Sequence, residues 1–414
     1  MISVDKNYWL YIAPHVYCNI KKTRVLLYNT KNGMSIESED QIVLALLQSL
    51  HERKNLGAIY CEGKMLVKNS YKEFILQFCS KEMGNLIDVK QVPEKPIQMM
   101  PILNLQNDID RLKNINDRDP GEEIMQYLHE LSIYLHTDCK QCCYYCDDYF
   151  KQNLCCYKNE DKQYKILGVE VIESVLSQIQ YGVVGKLNLL GGDLFNYPHY
   201  NRLTSLLMGF RGQVHLWNHY ANFANHKFII PDFIYNVIVS FPLNEDLWNC
   251  CLISLSRQEL VKFHFYITQE DEYDQSKWLV EQYNISKYSI HPVYVKTNHV
   301  FFEEYIFLDK EDILAPIIPF SQIFAHQKLN THFFGSLTIL ANGNIYANVN
   351  RDALGNIYND KLLDIINKEL LVNTAWRICR DNPPCSDCLY RYLCPSPSNY
   401  EIIIGKSNLC HVKV

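Results

Sequence analysis

Six short apolar segments alternate with helical segments through the middle of the chain, from residue 128 to about residue 295. The predicted strands are Leu131–Leu135, Lys186–Leu190, Gln213–Trp217, Asn236–Phe241, Lys262–Thr268 and Tyr288–Tyr294. Repeated strand–helix units imply a parallel sheet with right-handed crossovers. Curled round, such a sheet makes a partial barrel whose functional site lies at the carboxyl ends of the strands. We therefore predict an α/β fold built on a partial (β/α)6 barrel.

A cysteine-rich run closely follows the first predicted strand. It places Cys139, Cys143 and Cys146 at C-x3-C-x2-C spacing. Three thiolates on one loop can bind three irons of a cubic iron–sulfur cluster and leave the fourth iron with an open position for a substrate or cofactor. Zinc is the alternative, because thiolates also suit zinc and a fourth sulfur is available nearby, from Cys142, Cys155 or Cys156.

Composition narrows the class of protein. The chain has 414 residues, of which 48% are hydrophobic and 21% charged, so two to four domains with a large core are expected. A net charge of −6 gives no reason to expect a nucleic-acid partner. The chain opens without a signal peptide and has no membrane-length apolar run, which predicts a soluble, cytoplasmic protein. Its 16 cysteines are then metal or redox ligands where they cluster.

Residues 1–90 are predicted to form a small α+β unit of winged-helix shape. Ser38 and Gln41 have capping-box spacing and are expected to start a helix that runs to Leu50. Segments 57–61 and 65–67 are predicted to form a two-stranded hairpin, the wing of the fold. Charges here are mixed, so a peptide or protein is the expected partner, bound as an added strand on an exposed edge.

The remaining boundaries follow from proline and cysteine positions. Residues 91–127 form a proline-broken connector with a possible helix at Asn104–Leu112 and a turn at Asp117–Gly121. The predicted barrel spans 128–300, a second connector spans 301–335, and 336–414 form a smaller unit. That last unit contains a hairpin about Ala341–Asn344 and a helix near Lys361–Leu371, and it carries four candidate metal ligands, Cys385, Cys388, Cys394 and Cys410.

The three-cysteine loop and the alternating strands resemble the radical S-adenosylmethionine (SAM) enzymes. Tyr145, just before the last cysteine, matches the aromatic residue usual there. The resemblance implies a [4Fe–4S] cluster on the triad, SAM bound at the fourth iron, and a 5′-deoxyadenosyl radical. Gly191, Gly192 and Asp193 resemble the family's Gly-Gly-Glu motif, which contacts the SAM amino group, with an acid one methylene shorter. Two further SAM contacts are expected at Asn218 and Ser240.

The C-terminal cysteines resemble the SPASM extension of peptide-modifying radical SAM enzymes. That extension usually carries two auxiliary clusters, but this chain has Ala347, Asn348 and Ser398 where family cysteines are expected. The missing cysteines belong mainly to the first auxiliary cluster. The resemblance therefore implies a single auxiliary [4Fe–4S] cluster with four thiolate ligands, which are Cys385, Cys388, Cys394 and Cys410. Structural zinc with the same ligands is the alternative.

The N-terminal unit resembles the recognition element that binds precursor leaders of ribosomally made, modified peptides (RiPPs). The chain as a whole looks most like the pseudo-rSAM/SPASM proteins of GG-Bacteroidales peptide systems, on the segments Tyr8–Ile12, Val25–Asn29 and Asp147–Cys156. This resemblance implies a radical SAM enzyme, or a component of one, that modifies a precursor peptide. The alternative is a catalytically inactive partner that binds the precursor peptide or a true maturase.

Overall fold

The computed structural model describes residues 3–98, 122–141, 143, 145–156, 165–225, 230 and 232–413. The helix predicted at Asn104–Leu112 and the turn at Asp117–Gly121 lie outside these ranges, as does Cys142. Within them the protein is an α/β molecule with two three-stranded sheets and one large mixed sheet of nine strands.

Two antiparallel sheets are built by the first ninety residues. Their strands are β1 (Asn7–Ile12), β2 (Val16–Ile20), β3 (Val25–Asn29), β4 (Ser35–Ser38), β5 (Ala58–Glu62) and β6 (Gly84–Asp88). One sheet has the order β5–β1–β6 and the other the order β2–β3–β4. The helices are Gln41–His51, Gly63–Leu66 and Asn69–Ser80, with a 3-10 turn at Arg53–Asn55. Apolar side chains of both sheets and these helices form one core, which includes Leu10, Leu47 and Phe78.

Two local predictions in this region are wrong. The hairpin wing does not form, because the segment after β5 is helical (Gly63–Leu66) and β5 pairs with β1 instead. The helix is capped by Asp40, whose carboxylate accepts from the Ile42 amide, and not by Ser38. Ser38 ends β4, where pairing with β3 holds its backbone in the extended conformation. The sequence pattern missed β4, so it placed the cap two residues too early.

The large sheet contains all six strands predicted for the middle of the chain. Its strands are β7 (Glu130–Tyr134), β8 (Lys186–Leu190), β9 (Gln213–His219), β10 (Ile234–Ser240), β11 (Val261–Ile267), β12 (Tyr288–Pro292), β13 (Ser336–Ile339), β14 (Asn344–Tyr346) and β15 (Gly355–Asn356). The order is β12–β11–β10–β9–β8–β7–β13–β14–β15. The pairs from β12 to β13 are parallel, whereas β14 and β15 pair antiparallel. The predicted hairpin, β13 and β14, therefore continues this sheet beside β7.

The two faces of the large sheet differ in what covers them. Leu131, Ile133, Leu187 and Leu189 lie on a face that packs in the main core. The helices that pack in this core are Val169–Ile179, Tyr200–Leu207, Glu245–Leu255 and Glu270–Gln282. Alternate residues point the other way, because successive strand side chains alternate between faces. This second face is defined by Tyr134, Leu190, Trp217, Ile238 and Tyr266.

Five α-helices follow β12 in the described part of the chain. They are His299–Tyr305, Lys310–Leu314, Phe320–Lys328, Leu362–Val372 and Asn399–Ile404. The first three fall in the segment 301–335 or at its edge, where the sequence carries little periodic signal. Among the described residues, none of the helices combines the length and apolar character that crossing a bilayer requires.

The N-terminal sheets and the C-terminal cysteine segment share a small core. Tyr28 is fully buried; its hydroxyl donates to the Pro316 carbonyl (3.1 Å) and accepts from the Ile318 amide (2.9 Å). Asn19 on β2 donates to the Leu389 carbonyl at 2.7 Å. Because these contacts join opposite ends of the sequence, the first ninety residues are packed onto the cysteine segment.

Candidate functional site

The three-cysteine loop leaves β7 at the carboxyl edge of the parallel strands. Tyr145 adopts a left-handed backbone (φ 63°) and starts the helix Cys146–Gln152. The Cys146 amide donates to the Cys143 carbonyl at 3.3 Å, which closes a tight turn. Burial, together with the nearby thiols of Cys146 and Cys139, raises the pKa of Cys143 to about 12, against an opposing hydrogen bond from Ser240. The three thiols thus lie together, and Cys143 stays protonated at neutral pH unless a metal displaces its proton.

Ser240, at the end of β10, contacts this loop directly. Its hydroxyl donates to the Cys143 sulfur, with 3.6 Å between Oγ and Sγ. The same hydroxyl lies 2.9 Å from Nε2 of His219, at the end of β9. The Ser240 residue expected to contact SAM is therefore hydrogen-bonded to a cysteine of the triad. His219 was missed by the sequence analysis, although it directly follows the singled-out Asn218.

The Gly-Gly-Asp loop after β8 packs against the chain just before the cysteine loop. Gly191 (φ +105°) and Gly192 (φ +54°) both have backbone conformations that favour glycine. A Cβ at Gly192 would lie 2.0 Å from the Asp138 carbonyl oxygen, and one at Gly191 would lie 2.5 Å from that of His136. Here the close approach that glycine permits is to the protein's own backbone.

Asp193 uses its carboxylate locally. Oδ1 accepts from the Phe195 amide (3.2 Å) and from the Asn218 side chain (3.3 Å). Oδ2 accepts from the Asn196 side chain at 2.8 Å. The carboxylate thereby caps the 3-10 turn Leu194–Asn196. The two predicted SAM contacts Asp193 and Asn218 are brought together, and they bind each other.

His136 joins the two loops, and the sequence analysis missed it. Its Nδ1 accepts from the Asp138 amide at 3.1 Å, so the proton sits on Nε2, which donates to the Asp193 carbonyl at 3.0 Å. The side chain is fully buried, and burial lowers its pKa. A neutral imidazole with one defined tautomer therefore connects the cysteine loop to the Gly-Gly-Asp loop. The sequence feature that could have identified His136 is its position directly after an apolar strand.

The helix Cys146–Gln152 and the residues after it lie on the second face of the sheet. Phe150 packs edge-on against Tyr134, with 5.5 Å between ring centroids, and Tyr149 packs on Tyr266 at 5.3 Å. Tyr266 also donates its hydroxyl to the Leu154 carbonyl at 2.5 Å. These contacts hold the helix and the residues up to Leu154 against the second face of the sheet.

Cys155 and Cys156, which end this segment, are both buried. The nearby thiols of Cys139 and Cys146, together with burial, raise the pKa of Cys156. Among the described residues, no group of three or more His, Cys, Asp or Glu side chains surrounds a point as the ligands of a single metal ion would. The donor chemistry, several soft sulfurs on one loop, fits a multi-iron cluster.

The four C-terminal cysteines also lie together. Burial raises the pKa of Cys388 and of Cys394, and in both cases the thiols of Cys410 and Cys385 contribute to the rise. Two side chains point polar hydrogens at these sulfurs. Arg380 donates to Cys385 (3.9 Å), and the Asn408 amide donates to Cys410 (3.4 Å).

Arg380 is held in place by an ion pair with Glu401 at 2.7 Å, where both side chains are less than a tenth exposed. Ser398, where the resemblance predicts a cysteine, lies next to this pair. Ser398 caps the helix Asn399–Ile404 in a capping box with Glu401, and Asn348 donates to Asn399 at 2.8 Å. Ser398 and Asn348 thus make polar contacts, whereas Ala347 is a buried apolar residue.

No protein-family model and no curated protein matches this sequence. Among solved structures, Streptococcus suis SuiB bound to S-adenosylmethionine is similar, with 14% identity over 97% of this chain and 100% of that one, at a TM-score of 0.48. SuiB bound to precursor peptide SuiA has 12% identity over 98% and 99% of the chains, at a TM-score of 0.40. SuiB alone has 13% identity over 97% and 100%, at a TM-score of 0.44. With TM-scores below 0.5, this likeness establishes neither fold nor function.

Proposed function

We propose that this chain holds a [4Fe–4S] cluster on Cys139, Cys143 and Cys146 and, with SAM, modifies a ribosomally made precursor peptide. The observation that carries the proposal is the convergence of three thiols at the carboxyl edge of parallel strands, with a hydroxyl directed at one sulfur. A bound cluster would supply the electron that cleaves SAM to a 5′-deoxyadenosyl radical. The chain's own residues position the sulfurs, exclude water and orient SAM.

The proposed SAM-binding residues lie beside the triad. Gly191 and Gly192 pack against the backbone of His136 and Asp138, just before Cys139, and Asp193 follows them directly in the sequence. For Asp193 to bind the SAM ammonium, its carboxylate would exchange a contact with Asn196 or Asn218 for the new one. Asn196 is exposed, so this exchange costs little. Tyr145, Asn218 and Ser240 complete the proposed set.

Precursor binding is proposed for the N-terminal unit, whose edge strands can accept a peptide as an added strand. Tyr60 on the edge strand β5 is 50% exposed. Deleting residues 1–90 is a poor test, because it would strip the shared core at Tyr28 from the cysteine segment. Tyr60→Asp is a better one, with Tyr181→Asp, at a site 88% exposed, as the control. We expect weaker binding of a labelled precursor by Y60D alone; equal affinities would reject this surface.

The experiment for catalysis is anaerobic reconstitution, followed by reduction with dithionite in the presence of SAM. Formation of 5′-deoxyadenosine is the expected result. The triple variant of Cys139, Cys143 and Cys146 to Ala should abolish that product and lose the iron of one cluster, while the iron of the proposed auxiliary cluster stays. Iron content equal to that of the wild type would show that the triad does not hold the cluster.

The second candidate function is a non-catalytic partner that binds the precursor peptide or a true maturase. The observation that favours it is the engagement of the Asp193 carboxylate by the protein's own donors. In that case the reconstituted protein would bind peptide or the maturase without forming 5′-deoxyadenosine under any condition. Binding assays run beside the product assay therefore separate the two candidates.

The proposed auxiliary site uses Cys385, Cys388, Cys394 and Cys410. Four thiolates leave no open iron, which suits electron transfer or a structural role. The donors Arg380 and Asn408 support a cluster, because hydrogen bonds and positive charge near sulfur tune its potential. Zinc with the same ligands is distinguished by metal analysis of protein purified without oxygen.

A further inference from the structure

Strand β12 forms one edge of the large sheet. Among the described residues, β11 is the only strand hydrogen-bonded to it. The Phe263 amide donates to the Lys287 carbonyl (3.0 Å), and the Val293 amide donates back to β11 (2.7 Å), so the odd-numbered residues pair inward. Because pairing alternates along a parallel strand, Tyr288 and Ile290 direct their N–H and C=O groups away from the sheet.

This edge is open to solvent along its length. Strands β7 to β11 each contain buried residues, whereas every residue of β12 is only partly buried. The open stretch ends at Pro292, which has no N–H and whose carbonyl accepts from the Tyr400 hydroxyl at 2.6 Å. An unprotected edge of this kind is a template on which a further strand can pair.

Lysines lie on both faces of this edge. On the first face, Lys277 of the helix Glu270–Gln282 has its ammonium 5.7 Å from the centre of the Tyr288 ring and 3.4 Å from its hydroxyl. Lys262 on β11 points to the second face, one residue pair before Tyr288, and Lys287 is exposed next to it in sequence. Within the described ranges, none of the three lysines has an acidic partner within ion-pair distance.

These charges favour one kind of occupant over another. A second copy of the chain, paired edge to edge about a twofold axis, would bring the same patch of both copies together and set the lysines against one another. An extended peptide with acidic side chains would instead complement them. The carboxyl end of β12 lies at the edge of the sheet that carries the cysteine loop, the Gly-Gly-Asp loop and Ser240. A peptide on β12 therefore extends toward the proposed catalytic site.

We propose that β12 binds an extended peptide segment with acidic side chains as an additional strand of the large sheet. The inference rests on the proposed function in one respect, since it takes that peptide to be the precursor. The outward backbone groups of Tyr288 and Ile290 supply affinity, and the lysines supply the preference for acidic side chains. This surface is separate from β5, so a leader and an acidic segment of one precursor bind at two linked places, which strengthens binding overall.

The test measures peptide binding by the full-length protein. The probe is a fluorescently labelled peptide in which Val and Glu alternate over about six residues, the usual length of a strand. A matched probe has Lys in place of Glu. We expect the acidic probe to raise fluorescence anisotropy on binding and to slow hydrogen exchange at the Tyr288 and Ile290 amides. The Lys probe should bind about tenfold more weakly or worse, because like charges oppose each other.

Variants of the edge test the backbone and the charge separately. Ile290→Pro removes an outward N–H and leaves the pairing with β11 intact, so it should weaken binding of the acidic probe by up to about tenfold, the worth of one hydrogen bond. Ile290→Val keeps the N–H and is the matched control, expected to bind as the wild type does. Lys277→Glu, at the surface, should reduce the preference for the acidic probe, whereas Lys361→Glu, at an exposed site on another element, should not.

Three results would overturn the proposal. These are a failure of wild type to bind the acidic probe, equal affinities for the two probes, and I290P binding as tightly as I290V. A dimer of the wild type that I290P dissociates would also overturn it, because a second copy would then cover the edge. Binding at β12 by a protein that forms no 5′-deoxyadenosine would reject radical chemistry and leave this inference standing.

Discussion

Ser240 donates a hydrogen bond to the sulfur of Cys143, with Oγ and Sγ 3.6 Å apart. The direction of this bond is set by His219, whose Nδ1 accepts from the Ala221 amide (3.2 Å) and whose Nε2 therefore donates to Ser240 at 2.9 Å. Burial lowers the pKa of His219 to about 3, so the ring stays neutral at physiological pH and keeps this tautomer. A buried chain of two hydrogen bonds thus ends on a sulfur of the triad.

The first prediction concerns the reduction potential of a cluster at the triad. Hydrogen bonds to sulfur stabilise the more negative, reduced state and raise the potential. Ser240→Ala removes one such bond and should lower the potential by some tens of millivolts, the equivalent of about 0.5–1.5 kcal/mol. Redox titration followed by electron paramagnetic resonance measures the shift. Ser254→Ala, which removes a hydroxyl that donates to the Phe223 carbonyl, is the control and should leave the potential unchanged.

The second prediction concerns the Asp193 cap. Asp193→Ala removes the acceptor that caps the turn Leu194–Asn196 and should lower the free energy of unfolding by about 1 kcal/mol. Asp193→Asn keeps a capping oxygen and should cost less, while still losing the charge proposed to bind the SAM ammonium. Denaturant unfolding and SAM titration are measured on both variants. Equal stability of D193A and wild type would show that the carboxylate does not act as a cap.

The third prediction is a loss of stability in mild acid. His264 and His291 are hydrogen-bonded at 2.9 Å, and Nε2 of His264 donates to Asn236 at 3.1 Å. Burial and the neighbouring His291 lower the pKa of His264 to about 2, and burial with Lys262 lowers that of His291 to about 4. Both rings are neutral in the native state. In the unfolded chain the same two histidines have a pKa of about 6.5 and take up protons below that pH.

The stability that these rings confer is therefore complete above about pH 6.5 and falls as the pH drops toward 4, by up to about 1.4 kcal/mol per pH unit for each ring. Urea unfolding between pH 7 and pH 5 measures the slope. His291→Gln keeps a side-chain donor without titrating and should reduce it. Identical slopes for the variant and the wild type would contradict this account.

The fourth prediction concerns the ion pair beside the C-terminal cysteines. Arg380→Gln leaves Glu401 buried without its partner and should cost about 3–5 kcal/mol. Lys406→Gln, which breaks the exposed pair with Glu303, is the control and should have a much smaller effect, because solvent screens an exposed ion pair. Unfolding of the two variants gives the comparison, and metal analysis shows whether the C-terminal cysteines keep their metal. A cost for R380Q no larger than for the control would mean that this pair does not stabilise the cysteine segment.

The sequence by itself determined the six parallel strands and the two groups of cysteines. Strand positions could be predicted because burial on both faces leaves continuous apolar runs, bounded here by helical segments. The cysteine groups stood out because ligands on one loop have short, regular spacing. The prediction of a hairpin wing near the N-terminus was wrong because the residues after β5 are compatible with either a strand or a helix. The choice depends on the pairing of β5 with β1, which a local sequence pattern does not reveal.

The tertiary structure alone decided how the singled-out residues are used. Asp193 binds Asn218, Ser240 binds Cys143, and β13 joins β7 across some two hundred residues of chain. Such contacts join residues far apart in sequence, and each depends on the direction of a side chain. A local pattern carries neither kind of information, because hydrogen bonds and sulfur contacts are set by the packing of whole strands and helices.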